Sequence, residues 1–482
     1  MIEYRPVLFF LGILLSGLAA AMVLPALVDG AFGSSDWQAF AAAAAITLFV
    51  GITFMLVSRG GWTSIPVRDG FILTTASWVL SAAFGALPFL LSDLGLSYTD
   101  AFFEAMSGIT TTGSTVLTGL DDTPRGILLW RSLLQWLGGI GFIVMAVAVL
   151  PMLQVGGMHL FRTEFSDPSG KVLPRVGQLA TGIGSVYLGA TVACMVAMWI
   201  AGMTAFEATA HAMTTIATGG FSTSDQSIGH FGSAPIEWIA TVFMIVGSLP
   251  FLLLWGALRG KAFSLLRDTQ VQWFAGIIAA SVAAIALWQW LAGGQALSVA
   301  IRESAFNVTS IITGTGYSSA DYWQWGTFPA AAFLFFMFIG GCAGSTSCSV
   351  KVFRYQILYQ ALIVQMVRLM RPHGVAVPHY NGRPIPDSVT DSVFAFFFLF
   401  LLLFALLAFG LSALGLDFVT AISSAATAIA NVGPGLGDVV GPSGTFASLP
   451  STAKWLMAAG MLLGRLEVFT VLVLLSPSFW RR

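Results

Sequence analysis

The chain has 482 residues, 57% hydrophobic and only 9% charged, against about a quarter charged in ordinary soluble domains. That composition excludes disorder and argues against a soluble enzyme. Its 21 lysines and arginines nearly cancel 22 acidic residues, so there is no basic excess for nucleic-acid phosphates. Cys194, Cys342 and Cys348 lack the spacing and the neighbouring histidines of a zinc site.

A bilayer core about 30 Å thick takes roughly 20 apolar residues per spanning helix. Ten such runs are read in chain order, near 6–28, 37–57, 71–92, 127–151, 180–202, 236–258, 271–292, 328–368, 392–414 and 453–477. The first has Arg5 ahead of an apolar stretch and Ala19, Ala20 and Ala21, as a signal peptide would, but its length and the membrane character of everything after it favour a true span. The eighth is too long for a plain span, and GGCAGSTSCS from Gly340 to Ser349 interrupts it. With both termini in the cytoplasm, alternation places sixteen basic residues inside, including Arg59, Arg162, Lys171, Lys351, Arg354, Arg368, Arg371 and Arg383. Arg125, Arg131, Arg302 and Lys454 fall outside, the asymmetry of the positive-inside rule. The acidic residues, among them Asp29, Glu104, Glu207, Asp225 and Asp438, gather near the outer face, where as a set they attract cations.

Between these runs one unit recurs four times: a short helix of mixed polarity ending in a glycine-centred polar tract. In register the copies are DAFFEAMSGITTTGS, EATAHAMTTIATGGF, ESAFNVTSIITGTGY and TAISSAATAIANVGP, aligned on Gly113, Gly220, Gly316 and Gly433. Four residues earlier stand Ile109, Ile216, Ile312 and Ile429; nine earlier, Glu104, His211, Asn307 and Ser424; thirteen earlier, Asp100, Glu207, Glu303 and Thr420. Each unit is too short to cross a bilayer and too apolar for an external loop, so it reads as a re-entrant half-helix. Backbone that leaves helical form at membrane depth must be buried in protein or line a wet cavity. Four such breaks around one axis build a pore, each half-helix pointing its partially negative C-terminus at a cation. The tracts Thr110–Ser114, Thr218–Ser222 and Thr313–Ser318 supply carbonyl and hydroxyl oxygens suited to a dehydrated monovalent cation. Singly, each glycine reads equally well as a packing or turn residue.

Two further features follow from burial. The Gly340–Ser349 break is either an intramembrane loop facing a cavity or a kinked helix packed through small residues. Arg465, within the last run, costs at least roughly 2.5 kcal/mol at a helix centre unless wetted or paired, and Glu467 two residues on is a poor partner. His211 and Asn307 are expected to tie the half-helices to neighbouring spans, and Glu104 to be partnered. The run Gly138–Gly141 lies inside a span with no preceding strand and is helix packing, not a nucleotide loop.

The tracts TTTGS, ATGGFS, TGTGYS and ANVGPG on four span–half-helix–span units resemble the potassium transporter superfamily of Trk, Ktr and HKT proteins, and the two leading spans resemble its TrkH type. The resemblance implies an all-α polytopic membrane protein of ten spans: a two-span domain at 1–69, then four K+-channel-like repeats at 70–178, 179–269, 270–390 and 391–482. It implies a selectivity filter built from Thr111, Thr112, Gly113, Thr218, Gly219, Gly220, Gly314, Thr315, Gly316, Asn431, Val432 and Gly433. It also implies a gate of Gly340, Gly341, Gly344, Ser345, Ser347 and Arg465 beneath that filter. Fewer equivalent carbonyl rings than in tetrameric channels imply weaker discrimination of K+ from Na+, with Rb+ also carried.

Further implications are a homodimer with one pore per subunit, a bacterial inner membrane, and no cofactor in this chain. The implied partner is a cytosolic TrkA-type ring binding NAD or adenine nucleotides, docked on the basic loops around 156–177, 259–268 and 369–390. Coupling of K+ to H+ or Na+ in symport is an alternative mode of the same uptake. A secondary carrier is a rival, since broken helices and repeats build those too, although four equivalent half-helices argue for a pore.

Overall fold

The computed structural model describes residues 4–60, 66–148 and 173–481; Arg162, Lys171 and most of the loop expected at 156–177 lie outside them. Where apolar side chains run for the width of a bilayer a helix forms, because only internal hydrogen bonding satisfies the backbone there. Among the described residues seven helices are long and apolar enough to cross: Tyr4–Phe32, Trp37–Val57, Arg68–Leu91, Arg125–Met145, Ala180–Ile200, Thr269–Leu291 and Asp387–Ala413. They coincide with seven of the ten expected runs.

The sixth and tenth runs, expected as plain spans, are broken. Ala234–Gly247 and Phe251–Arg267 meet at 98°, and Ser451–Arg465 and Phe469–Leu475 at 115°. Pro250 explains the first bend, since it donates no hydrogen bond and disfavours a helical Leu249. At the second, Glu467 and Val468 take left-handed φ values of 59° and 54°. The eighth run divides into Thr327–Phe336 and Val352–Met370, and the Gly340–Ser349 break lies between them. The first two helices form an antiparallel hairpin packed against Val67–Gly85 and Arg125–Ala148. Beyond Met370 a short hairpin pairs His379–Tyr380 with Arg383–Pro384.

Four shorter helices lie inside this scaffold: Tyr98–Ile109, Ala205–Ile216, Leu297–Thr313 and Phe418–Ala430. Three start on a side-chain cap that satisfies an orphan backbone donor. Ser97 accepts from Asp100 N, Asp417 from Thr420 N, and Thr204 forms a reciprocal box with Glu207. The column thirteen residues before each glycine is thus a capping position. In the third copy the helix begins earlier, at Leu297, and Glu303 falls within it. From their second turn onward these helices are buried, Ala101 through Ile109 without exception in the first, which sets their C-terminal ends at the centre of the molecule.

Candidate functional site

Each short helix ends on a tract whose backbone turns left-handed at one register position. Two residues before the aligned glycine, Thr111, Thr218, Gly314 and Asn431 have φ of 54°, 50°, 79° and 53°. Gly113, Gly220 and Gly316 are left-handed as well, whereas Gly433 is not. The tracts then come together so closely that no side chain fits at the glycines. A Cβ on Gly113 would stand 2.2 Å from Gly219 O of the second tract, and one on Gly220 1.9 Å from Thr315 O of the third. A Cβ on Gly316 would lie 2.7 Å from Gly433 N of the fourth, and one on Gly433 3.1 Å from Gly113 O of the first. Contact therefore runs one, two, three, four and back to one, a closed ring.

Side chains reinforce the closure between the fourth and first tracts. Ser114 Oγ donates to Gly433 O at 2.8 Å and Asn431 Nδ2 to Thr112 Oγ1 at 2.9 Å. Within tracts, Thr110 bonds Thr112 at 2.7 Å and Thr313 bonds Thr315 at 2.8 Å. All twelve residues expected in the filter lie on these four tracts. Val432 differs from the others in that its side chain packs in an apolar cluster with Ile429 and Leu436. A cavity of about 70 Å³ opens directly on the ring and is lined from all four tracts, by Gly113, Gly220, Gly316 and Gly433 together with residues such as Thr115 and Ser318.

The column nine residues before the glycines braces the ring from behind. Glu104 accepts from Val116 N at 2.9 Å, His211 Nε2 bonds Ser222 Oγ at 3.0 Å, and Asn307 Nδ2 donates to Ser319 Oγ at 2.9 Å. Each residue holds the returning tract of its own copy, which doubles back alongside its helix; for His211 and Asn307 this replaces the neighbouring span expected, while Glu104 is partnered as expected. Ser424 Oγ has no partner among the described residues. Arg131 donates to Glu104 at 2.8 Å, both side chains being buried, so this pair is enclosed in the protein and not exposed at a surface. Asp225 likewise accepts from Gly119 N at 2.9 Å and Leu120 N at 3.2 Å, and Asp100 pairs with Lys454 at 2.6 Å. Several acids read as a cation-attracting set are hydrogen-bonded into the frame.

The interrupted segment after the third tract packs against the other end of the ring. Thr218 Oγ1 bonds Thr346 Oγ1 at 3.2 Å, Ser347 Oγ donates to Thr313 O at 2.6 Å, and Cys348 Sγ lies 3.8 Å from Thr111 Oγ1. Three successive loop residues thus touch three different tracts. The loop keeps its shape through Gly341 N donating to Ser347 Oγ at 2.7 Å and Ser345 Oγ to Cys342 O at 2.6 Å. Gly340 and Gly344 turn left-handed, at 77° and 76°. The segment is a folded loop, not a kinked helix.

Arg465, 1% exposed, is the last residue of its helix and reaches into this loop. It donates to Thr346 O and to Gly138 O, each at 3.2 Å, contacts Cys348 Sγ, and lies 4.1 Å from the Phe142 ring. No carboxylate pairs with it among the described residues. Glu467 instead binds Lys351 at 2.8 Å, and Arg354 also. Lys351 and Arg354 were expected on the cytoplasmic surface; both are buried, held by that carboxylate. Two of the three buried cations beside the loop thus share one carboxylate, while Arg465 is held by backbone carbonyls.

Sequence reading missed the partnership of Lys351 and Arg354 with Glu467, and it missed Gln135, whose Nε2 donates to Gly219 O at 2.6 Å. The available signal was Arg131 and Gln135 spaced four apart in an otherwise apolar run, since polar groups in a span are functional candidates by default. Gly138 packs against Ile109 O, with 1.9 Å to a built Cβ, as expected of a helix-packing run.

Membrane-length helices around a buried ring of backbone and hydroxyl oxygens are the architecture of a membrane ion transporter. The profile of the TrkH family, described as a cation transport protein, matches residues 37–482, and the chain belongs to that family. It is 46% identical over 481 residues to the Trk system potassium uptake protein TrkI of Halomonas elongata, covering 100% of this chain and 98% of that one. The Trk system potassium uptake protein TrkH of Escherichia coli is 37% identical, with 99% and 100% covered. The crystal structure of the potassium transporter TrkH from Vibrio parahaemolyticus superposes with a TM-score of 0.91 at 35% identity, covering 99% of this chain and 100% of that one.

Proposed function

We propose that this protein takes K+ into a bacterial cell across the inner membrane through a gated pore on the axis of the four-tract ring. The cyclic order of glycine contacts carries the proposal, because a closed ring of oxygen-bearing backbone can replace part of an ion's hydration shell. In this reading ten spans make up the fold, with both termini cytoplasmic. A leading domain at 1–69 is followed by four repeats at 70–178, 179–269, 270–390 and 391–482, and the twelve tract residues from Thr111 to Gly433 form the filter. K+ is the transported ion; the relatives' potassium uptake activity and the matching ring support it.

The loop Gly340–Ser349 is the gate in this proposal. Its contacts with Thr111, Thr218 and Thr313 support a position across the inner mouth. Arg465 both anchors the loop and adds a positive barrier there. Opening requires the loop to leave Thr346 and Cys348 free of Arg465. Two such chains form a dimer with a pore in each, and a cytosolic nucleotide-binding ring of the TrkA type docks on the basic faces around Arg259, Arg368 and Arg371. Docking would bias the loop between its two arrangements.

The test is growth of a bacterium lacking its own K+ uptake systems, at limiting K+, with this chain expressed alone and with the regulatory subunit. Rescue by K+ is the expected result. No rescue in either case, with the protein present in the membrane, contradicts the proposal.

A further inference from the structure

Gln135 is fully buried, and its amide spans the second tract. Nε2 donates to Gly219 O at 2.6 Å and Oε1 accepts from Phe221 N at 3.0 Å. A backbone N–H can only donate, so the amide's orientation is fixed by its partners. One helical turn earlier, Arg131 donates to Ser222 O at 2.8 Å and lies 4.1 Å from the Phe221 ring. Through Glu104 the same arginine reaches Thr115 and Val116 of the first tract. The helix Arg125–Ala148 thus grips the second tract on both sides of Gly220, and the first through an ion pair.

The main-chain carbonyls of the third and fourth tracts are held differently, by serine hydroxyls of their own helices. Ser310 Oγ donates to Tyr317 O at 2.7 Å and Ser423 Oγ to Leu436 O at 3.2 Å. Only at Gly219, among the described residues, does a side-chain amide bond a carbonyl of the twelve-residue ring from behind. Gly219 O is also the atom closest to a Cβ built on Gly113, at 2.2 Å, so its direction fixes the spacing of the first two tracts.

We propose that Gln135 is a positioning residue that determines ion specificity. By holding Gly219 O outward, it keeps this side of the oxygen ring from closing on a cation smaller than K+. The inference rests on the proposed K+ pore. Discrimination in a flexible oxygen cage depends on the number of ligands and on how far they can close. Removing the donor frees Gly219 O to move inward and improves the fit to Na+.

The experiment compares radioactive Rb+ influx into vesicles, competed by K+ or Na+, for the parent, Gln135→Met and Gln135→Glu. The first variant keeps length and loses both bonds; the second keeps the acceptor for Phe221 N and loses the donor to Gly219 O only while ionised, so its influx is also compared across pH. Both are expected to fold, with some loss of thermal stability, and to retain influx, while the preference for K+ over Na+ falls by about tenfold, the factor one lost hydrogen bond carries at the upper end of its usual range. An unchanged ratio in a folded, conducting variant overturns the assignment. If neither variant folds, Gln135 is a folding residue and the assignment also falls. Parent protein without K+-competed influx defeats the pore reading itself, and the inference with it.

Discussion

Arg465 Nη1 donates to Thr346 O at 3.2 Å, while the hydroxyl of the same threonine shares its one hydrogen between Ile216 O at 3.0 Å and Gly247 O at 2.8 Å. One loop residue thus ties the end of the last long helix to the end of the second short one. In the proposed gate, a loop held at both faces is the closed arrangement, and each tie biases it. Replacing Arg465 with Ala removes one tie and the charge beside it. Basal Rb+ influx of the Arg465→Ala protein is expected to exceed the parent's at equal protein; equal influx would free Arg465 of any gating role.

Glu467 is the sole carboxylate bonded to Lys351 and Arg354 among the described residues. Neutralising it removes the carboxylate that both buried cations bind, and breaking a buried pair typically costs about 3–5 kcal/mol. Thermal unfolding of Glu467→Gln in detergent is expected at a markedly lower temperature than the parent. Replacing the two cations together with Glu467 by apolar residues of similar size should recover most of the loss, since a buried pair against an apolar replacement is close to neutral. A Glu467→Gln protein as stable as the parent would mean that water reaches the cluster.

Gly220 and Gly119 are both left-handed, at 78° and 73°, yet they predict opposite outcomes. Alanine at Gly119 meets open space, while at Gly220 its Cβ would stand 1.9 Å from Thr315 O. Gly119→Ala is expected to cost about 1 kcal/mol of backbone strain and leave transport intact. Gly220→Ala must push the second and third tracts apart, and transport selectivity should be lost. Transport assays of the two variants side by side separate ring contact from backbone angle.

Asp417 lies ahead of the fourth short helix, outside the spans, and the hydrogen bonds from Thr420 hold its carboxyl below the ordinary 3.8. A depressed folded-state value means that its stabilisation is present above that pH and disappears as pH falls through the folded value. Asp417→Ala should therefore destabilise by about 1 kcal/mol at neutral pH, as a lost cap does. Unfolding curves of parent and variant should converge in strong acid. Curves that stay apart there would assign the effect to packing.

Arg371 is exposed, and Arg368 reaches Ala376 O at 3.3 Å beside the His379–Pro384 hairpin. Reversing both charges to glutamate is expected to abolish co-purification with the proposed TrkA-type subunit at low salt. Unchanged co-purification would move the docking surface elsewhere.

Much of this was legible in the residues. Bilayer-length apolar runs place the seven straight helices because length and composition alone decide them. The register of Gly113, Gly220, Gly316 and Gly433 brought out the four tracts, since only glycine allows carbonyl oxygens of one tract within 2–3 Å of a neighbour's Cβ position. The bends at Pro250 and at Glu467–Val468 were less visible, because apolar side chains on both sides of a break look like one span. Partnerships were least visible of all. Lys351 and Glu467 are 116 positions apart, and nothing local distinguishes a lysine at a membrane surface from one buried against a distant carboxylate.

The central claim is that K+ passes through the four-tract ring. It is tested most directly by radioactive Rb+ influx into proteoliposomes of the purified chain, with excess K+ or Na+, beside Gly316→Ser, whose side chain would collide with Gly433 N. The account predicts influx competed better by K+ than by Na+ in the parent, and a loss of that preference in Gly316→Ser. Influx competed equally by the two ions in the parent, or a preference unchanged by Gly316→Ser, would contradict it.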